Sequence, residues 1–152
     1  MRFWQCVILL SILPSTALAL DSLRLDPIEG GDCGLFVEDA DAHTPGTEFH
    51  PLLAHDAMDG NKIRMSLDGQ ATVLPLIQST PPAQKFGDRL ARRYANDKGA
   101  QLMLELTRHG YCGDETESNK SESCESVRYT GTMMVSAPGK MKRYNVIVND
   151  GC

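Results

Sequence analysis

The chain has 152 residues and is acidic, with 20 Asp and Glu residues against 15 Lys and Arg residues and a formal net charge of −5. A chain of this length builds a single hydrophobic core, and its composition is that of a globular domain. The excess of negative charge argues against nucleic acid or an anionic membrane as its partner.

The first residues have the pattern of a secretory signal. Arg2 precedes an apolar run over residues 7–13, and the small residues Ala17 and Ala19 are spaced as at a cleavage site. The run is much shorter than the about 20 apolar residues that span a bilayer, which argues against a membrane anchor. We expect residues 1–19 to be removed, and the mature chain to be periplasmic or secreted, with no membrane attachment.

Four cysteines follow the expected cleavage site. An even number in a short exported chain indicates two disulfides, for which three pairings are possible. We favour Cys112–Cys124, which would close a polar segment between two strands, and Cys33–Cys152, which would join the two ends. Zinc and thioredoxin-like sites usually separate two cysteines by two residues, and no such pair occurs here.

Residues 20–60 are predicted to be an N-terminal arm and a long loop. Residues 34–37 form at most a short strand within this region. From residue 38 to residue 60 the chain is polar and irregular, and a helical turn over residues 52–58 is the one element expected there.

The middle of the chain carries a hairpin signal. Residues 62–67 alternate between polar and apolar side chains, Asp68-Gly69 follows, and residues 71–77 continue as a second strand. Asp-Gly between two such runs favours a two-residue turn, in which both positions need positive φ. Proline donates no backbone hydrogen bond, so Pro75 limits the second strand to an edge or a bulge.

Residues 85–95 allow two interpretations. Leu90 and Tyr94 have helical spacing, with Asp88 as a possible N-cap. A strand that ends at the turn over residues 96–99 fits as well, and we favour it. Residues 102–107 then alternate as a strand, and residues 113–123 form an acidic, serine-rich loop.

A second hairpin ends the chain. Residues 127–135 alternate, residues 137–140 turn, and residues 144–148 alternate back. Consecutive hairpins with little helix predict a mainly β fold, an antiparallel meander that closes into a small barrel or sandwich. Residues 61–152 would form this β-domain, and residues 20–152 would be one folded unit with two disulfides and a long N-terminal loop region.

The tripeptide Arg108-His109-Gly110 follows a predicted strand directly. It resembles the phosphohistidine motif of the histidine phosphatases, in which the histidine attacks phosphorus. Those enzymes need a second histidine downstream, and none follows His109. We therefore expect a turn leading to Cys112, and a phosphatase or hydrolase activity at His109 remains a third hypothesis for this chain.

Residues 39–59 combine histidines with carboxylates. The histidines are His43, His50 and His55. Imidazole and carboxylate together suit zinc or copper, although this spacing matches no known ligand pattern. A metal-binding periplasmic protein is the alternative function; the favoured interpretation involves no cofactor.

Two charge clusters are candidates for partner recognition, because loops held by a rigid scaffold often carry binding. The basic patch consists of Lys85, Arg89, Arg92 and Arg93. The acidic loop carries Asp114, Glu115, Glu117 and Glu122. Charges of this kind also keep a protein soluble without binding anything.

Several short stretches carry a resemblance. They are residues 65–69, 86–89, 112–115, 124–125 and 149–152. From about residue 58 onward the chain resembles a group of small exported bacterial β-proteins with paired cysteines, which implies a periplasmic β-domain and no particular activity. By architecture it also resembles periplasmic lysozyme inhibitors, small disulfide-linked β-barrels that plug an enzyme's cleft with a loop, but their Ser-Gly-x-x-Tyr loop is absent.

The chain contains neither a Gly-x-Ser-x-Gly elbow nor an HExxH motif. We therefore expect an exported, non-enzymatic binding protein with a protein partner. Inhibition or neutralisation of an enzyme, as by an inhibitor or immunity protein acting on a cell-wall hydrolase, is the favoured function. Such hydrolases are often cationic, so an acidic protein would be steered towards them.

Overall fold

The structure is a computed structural model that describes residues 23–42, 50–57, 59–111 and 126–152. These residues form nine strands and no helix, so none of their segments is a helix able to span a membrane. The strands are β1 Leu25–Asp26, β2 Gly34–Asp39, β3 Leu52–Ala57, β4 Lys62–Leu67, β5 Gln70–Ser79, β6 Arg89–Ala95, β7 Gln101–Tyr111, β8 Val127–Ala137 and β9 Lys140–Gly151.

Strands β2 to β9 form a closed antiparallel barrel. Each strand pairs with the next along the chain, and β9 pairs with β2 from Gly34↔Gly151 to Asp39↔Val146. The short β1 pairs with the end of β4, beyond the part of β4 that pairs with β3. Full closure leaves the barrel without an unpaired edge. The predicted antiparallel meander is confirmed, and its first and last strands, β2 and β9, pair to close it into a barrel.

Both predicted hairpins are confirmed. Asp68 and Gly69 connect β4 to β5 with φ values of 50° and 80°, as a two-residue turn requires. Pro75 lies just before a bulge of β5 and not in it, and it has no register partner on β6. It is the last residue of β5 to pair with β4, and the pairing of β5 with β6 begins at Leu76 and shifts register before Gln78.

Apolar side chains fill the barrel. Strand alternation points them inward from every wall, and an eight-stranded barrel is just wide enough for them. The largest of the fully buried ones are Leu35, Ile63, Met65, Leu74, Tyr94, Leu102, Leu104 and Met133. At one end the N-terminal segment covers this core, where the backbone N–H of Leu25 donates a 3.2 Å hydrogen bond to the Tyr144 hydroxyl.

The predicted helical turn at residues 52–58 is wrong, as is the long loop for the same segment, because β3 occupies Leu52–Ala57. Residues 53–56 are all buried. Asp56 contacts Tyr94 inside the barrel, whereas His55 packs against Phe36 on the outside. Because both faces of β3 are covered, its sequence lacks the polar and apolar alternation that identifies a strand with one wet face.

The favoured strand interpretation of residues 85–95 is confirmed for Arg89–Ala95. Asp88 does not cap a helix; its carboxylate accepts backbone hydrogen bonds of 2.9 Å from both Gln84 and Lys85. These two donors hold the pKa of Asp88 below its ordinary value, Lys85 having the larger effect. The turn over residues 96–99 is also present, closed by the side chain of Asn96.

The predicted disulfide Cys33–Cys152 is confirmed, with a Cα–Cα distance of 4.3 Å. It joins the residue before β2 to the residue after β9, so it closes the seam at which the first and last strands of the barrel pair. The end of the barrel at this bridge is called the disulfide end below. The second predicted bridge, Cys112–Cys124, lies outside the described residues.

Candidate functional site

A polar cluster lies inside the barrel at the disulfide end. Leu35 on β2 has Asp56 of β3 and Asp150 of β9 as its two register partners, so the two carboxylates flank it on the inner wall. Arg92 and Tyr94 come from β6, which pairs with neither β3 nor β9. The cluster therefore joins walls of the barrel that share no backbone hydrogen bonds.

One oxygen of Asp56 receives both contacts from β6. The Tyr94 hydroxyl donates a 2.6 Å hydrogen bond to Oδ2, and Nη1 of Arg92 donates one of 3.0 Å. The Asp56 side chain is 0% exposed and that of Arg92 is 20% exposed. A charge this deeply buried is tolerated only when it is paired and hydrogen-bonded. Arg92 and Tyr94 do this at Oδ2, whereas Oδ1 is buried without a hydrogen-bond partner among the described residues.

Burial shifts the proton affinities of the cluster. Desolvation raises the pKa of Asp56, and the hydrogen bonds from Tyr94 and Arg92 oppose that rise. Burial also raises the pKa of Asp150, against the attraction of Arg92. The pKa of Tyr94 lies far above its ordinary value because of burial and its bond to Asp56, so the phenol stays protonated.

The space beside the cluster is small. A cavity of about 100 Å³ opens among Gly34, Asp56, Arg92, Asp150 and Gly151. A water molecule occupies about 30 Å³ in the liquid, so this cavity has room for only a few waters. We interpret the cluster as a polar plug for the barrel.

The larger concave surfaces lie on the outside of the barrel. Two adjoining grooves, of about 360 and 480 Å³, run over β6, β7 and β8 and share Thr80 and Ala91. We call them together the outer groove. Across its first part lies the register row Arg93, Met103, Met134 and Arg143. Its second part contains Arg89, Glu105, Thr107 and Thr132.

The structure divides the predicted basic patch. Arg92 points into the barrel and pairs with Asp56, whereas Arg89 and Arg93 are exposed beside the outer groove. Lys85 lies in the turn that precedes β6. Alternate residues of a strand face opposite sides, so neighbours in sequence cannot all share one surface. That rule, applied to the favoured strand, identifies Arg92 as the inward residue.

The predicted metal ligands do not form a described site. His43 lies outside the described residues, and those residues contain no group of three or more histidine, cysteine or acidic side chains placed to hold a metal ion. His55 is 2% exposed, and its Nδ1 lies 3.1 Å from the guanidinium of Arg64. Burial first and Arg64 second lower the pKa of His55, and a cation next to Arg64 would be repelled.

The predicted turn at Arg108-His109-Gly110 is wrong, since these residues continue β7 and pair with β8 through a register shift. Arg108 is buried, and its Nη1 donates a 2.7 Å hydrogen bond to the Ala83 carbonyl. His109 Nε2 lies 2.6 Å from the Thr130 hydroxyl, and the ring stands edge-on to Phe86. Arg108 therefore has a structural role, and its guanidinium is not placed to hold a phosphate beside His109.

The predicted acidic loop, with Asp114, Glu115, Glu117 and Glu122, lies outside the described residues, so its role stays a prediction. Comparisons of the chain with protein families, with curated proteins and with solved structures found no match. The resemblance to small exported β-proteins likewise stays a prediction. The interpretation of function therefore depends on the geometry alone.

Proposed function

We propose that this chain is an exported, non-enzymatic binding protein that occupies a partner enzyme, such as a cell-wall hydrolase, with its outer surface. One observation carries the proposal. The barrel interior is filled with side chains and plugged by Asp56, Arg92 and Tyr94, while the larger grooves of the described residues lie outside. A surface of this kind suits a macromolecule better than an enclosed small ligand.

The rigidity of the frame supports the same proposal. All eight barrel strands are paired on both sides, and Cys33–Cys152 links the start of β2 to the end of β9. A preorganised surface loses little conformational entropy when it binds, so more of the contact energy appears as affinity. Small inhibitors benefit from this because they present a fixed shape to a partner.

The charge of the chain favours a partner protein that has charged surfaces. The net charge of −5 steers the molecule towards cationic surfaces, while Arg89, Arg93 and Arg143 make the face over β6 to β9 locally basic. The predicted acidic loop and this basic face would together select a partner with both signs of charge.

The test is a panel of purified muramidases and amidases, each assayed on cell-wall substrate with and without the protein. We expect at least one enzyme to be inhibited by a one-to-one complex at micromolar or lower concentration. Mature protein unfolded and alkylated on its cysteines is the control. No complex and no inhibition across the panel, at both low and high salt, would count against the proposal.

A further inference from the structure

The spacing of the charged side chains along the outer groove suits an extended peptide. Arg89 and Arg93 lie on β6 four residues apart and both face outward, which separates them by about 13 Å at the usual rise of a strand. The two parts of the groove meet at Ala91, midway between them, where a small side chain leaves the floor open. A second extended chain laid along β6 would repeat this spacing at every fourth residue.

The charges along the groove are free to pair. Arg93 donates its 2.8 Å hydrogen bond to the neutral side chain of Gln101, and within the described residues neither Arg89 nor Arg93 contacts a carboxylate. Glu105 is exposed in the same groove between the rows of the two arginines, since its register partner on β6 is Ala91. The order along the groove is therefore positive, negative, positive.

Next to Arg93 the floor is apolar. Met103 follows Arg93 in the register row, and Met134 follows Met103, both partly buried. Methionine side chains are flexible and polarisable, and they are common on surfaces that accept varied partners. Arg143 closes the row on the far side, at 3.5 Å from the Thr132 hydroxyl.

We propose that the outer groove binds an extended acidic segment of a partner protein, with carboxylates at positions i and i+4 against Arg89 and Arg93. This inference rests on the proposed function, because the segment would belong to the partner enzyme. The position i+2 faces Glu105 and is neutral or basic. A closed barrel has no edge to which a strand could add, so side chains and not backbone pairing select the segment.

The experiment is a nuclear magnetic resonance titration of the purified protein with three blocked peptides. The first is acetyl-Glu-Ala-Lys-Ala-Glu-amide, the second replaces both Glu by Gln, and the third replaces Lys by Glu. We expect weak binding of the first, with shifts at the amides of Ala91, Met103 and Met134, and affinities about three- to tenfold lower for the others. Equal affinities, or shifts elsewhere on the barrel, would overturn the inference.

Two double variants localise the effect. Arg89→Gln with Arg93→Gln should abolish the preference for the first peptide. Lys62→Gln with Lys98→Gln removes the same charge from exposed sites elsewhere, and should leave that preference unchanged. If both double variants lose the preference equally, net charge alone explains it and the assigned groove is wrong. Vesicles of phosphatidylglycerol that bind through Arg89 and Arg93, with no peptide selectivity, would assign the groove to membranes instead.

The same variants separate this inference from the proposed function. An enzyme that the original protein inhibits should escape the Arg89→Gln, Arg93→Gln variant. If that variant still inhibits, the groove is not the contact surface, although the protein remains an inhibitor. If the peptides are selected but no enzyme of the panel is bound, the groove stands and the proposed partner class is wrong.

Discussion

Tyr94 donates a 2.6 Å hydrogen bond to Asp56 across the inside of the barrel. Two strands, β4 and β5, separate β3 from β6 on the shorter way round the wall. The contact therefore joins β3 and β6, two strands that share no backbone hydrogen bonds. Arg92 completes it from the same strand as Tyr94, through the same carboxylate oxygen.

The first prediction concerns the ion pair in this cluster. Asp56→Ala should lower the free energy of unfolding by about 3–5 kcal/mol, because it leaves the guanidinium of Arg92 without its buried partner. The double variant Asp56→Ala, Arg92→Met should lose less than the sum of the single variants. Urea unfolding at neutral pH measures the free energy of unfolding of the original protein, both single variants and the double variant.

The matched control is an exposed ion pair. Lys140 Nζ lies 3.2 Å from Asp68, with side chains 34% and 41% exposed. Lys140→Gln should cost much less than Asp56→Ala, since water screens this pair. Similar losses for the two variants would show that burial does not determine the strength of the Asp56 contact.

The second prediction concerns pH. The folded pKa of Asp56 is raised above its ordinary value of 3.8, mainly by burial. Between that value and the folded pKa the folded protein holds a proton that the unfolded chain has released, so Asp56 makes stability fall as pH rises through this window. Asp56→Asn should remove that fall.

The measurement is the free energy of unfolding at several pH values from 3 to 8, compared between the original protein and Asp56→Asn. Asp150→Asn provides a second test of the same sign, because burial also raises the pKa of Asp150. The difference between protein and variant isolates the carboxylate from other titrating groups. A difference that does not change with pH would contradict the direction given for Asp56.

The third prediction concerns the disulfide. Cys33 and Cys152 are 119 residues apart, so their bridge removes much of the entropy of the unfolded chain. Replacing both by Ala should cost about 4–5 kcal/mol by the loop-entropy relation. Thermal unfolding of the variant and of the original protein, both without reductant, measures the loss.

Thiol titration of the denatured, unreduced mature protein accompanies this measurement. We expect no reactive thiol, because the predicted second bridge would engage Cys112 and Cys124. The Cys33→Ala, Cys152→Ala variant should also show none. Reactive thiols in the original protein would disprove the two-disulfide frame and reopen thiol chemistry as a function.

The fourth prediction concerns Gly131 on β8. A Cβ added there would overlap the carbonyl oxygen of Glu105 on the neighbouring strand. Gly131→Ala should therefore force β7 and β8 apart and cost several kcal/mol, measured by urea unfolding. Gly60→Asn is the control: its φ is 62° and no atom lies within 4 Å of the added Cβ, so asparagine should be tolerated.

The hairpins could be predicted from the chain because their causes are local. Asp68-Gly69 has the side chains for a two-residue turn, and the runs on either side have a period of two. The strand β3 could not be predicted in this way. Its residues 53–56 are buried on both faces, so their sequence shows no alternation, and only the packed neighbours reveal why.

The same distinction between local and distant causes applies to the candidate site. Arg89, Arg92 and Arg93 are recognisable as a charged group in sequence, but the group does not act as one surface. Arg92 belongs to the buried plug because Asp56 lies opposite to it, and Asp56 is 36 residues away. No local pattern links those two residues.

By itself the sequence determined an acidic chain and a meander of β-hairpins, since each of these depends on composition or on neighbouring residues, whereas the export signal and the second disulfide stay predictions. Only the tertiary structure decided that the meander closes on itself, that its interior is filled and that Arg89 and Arg93 border an outer groove. The physical reason is that closure and burial depend on contacts between residues far apart in the chain, whose partners the local sequence does not specify.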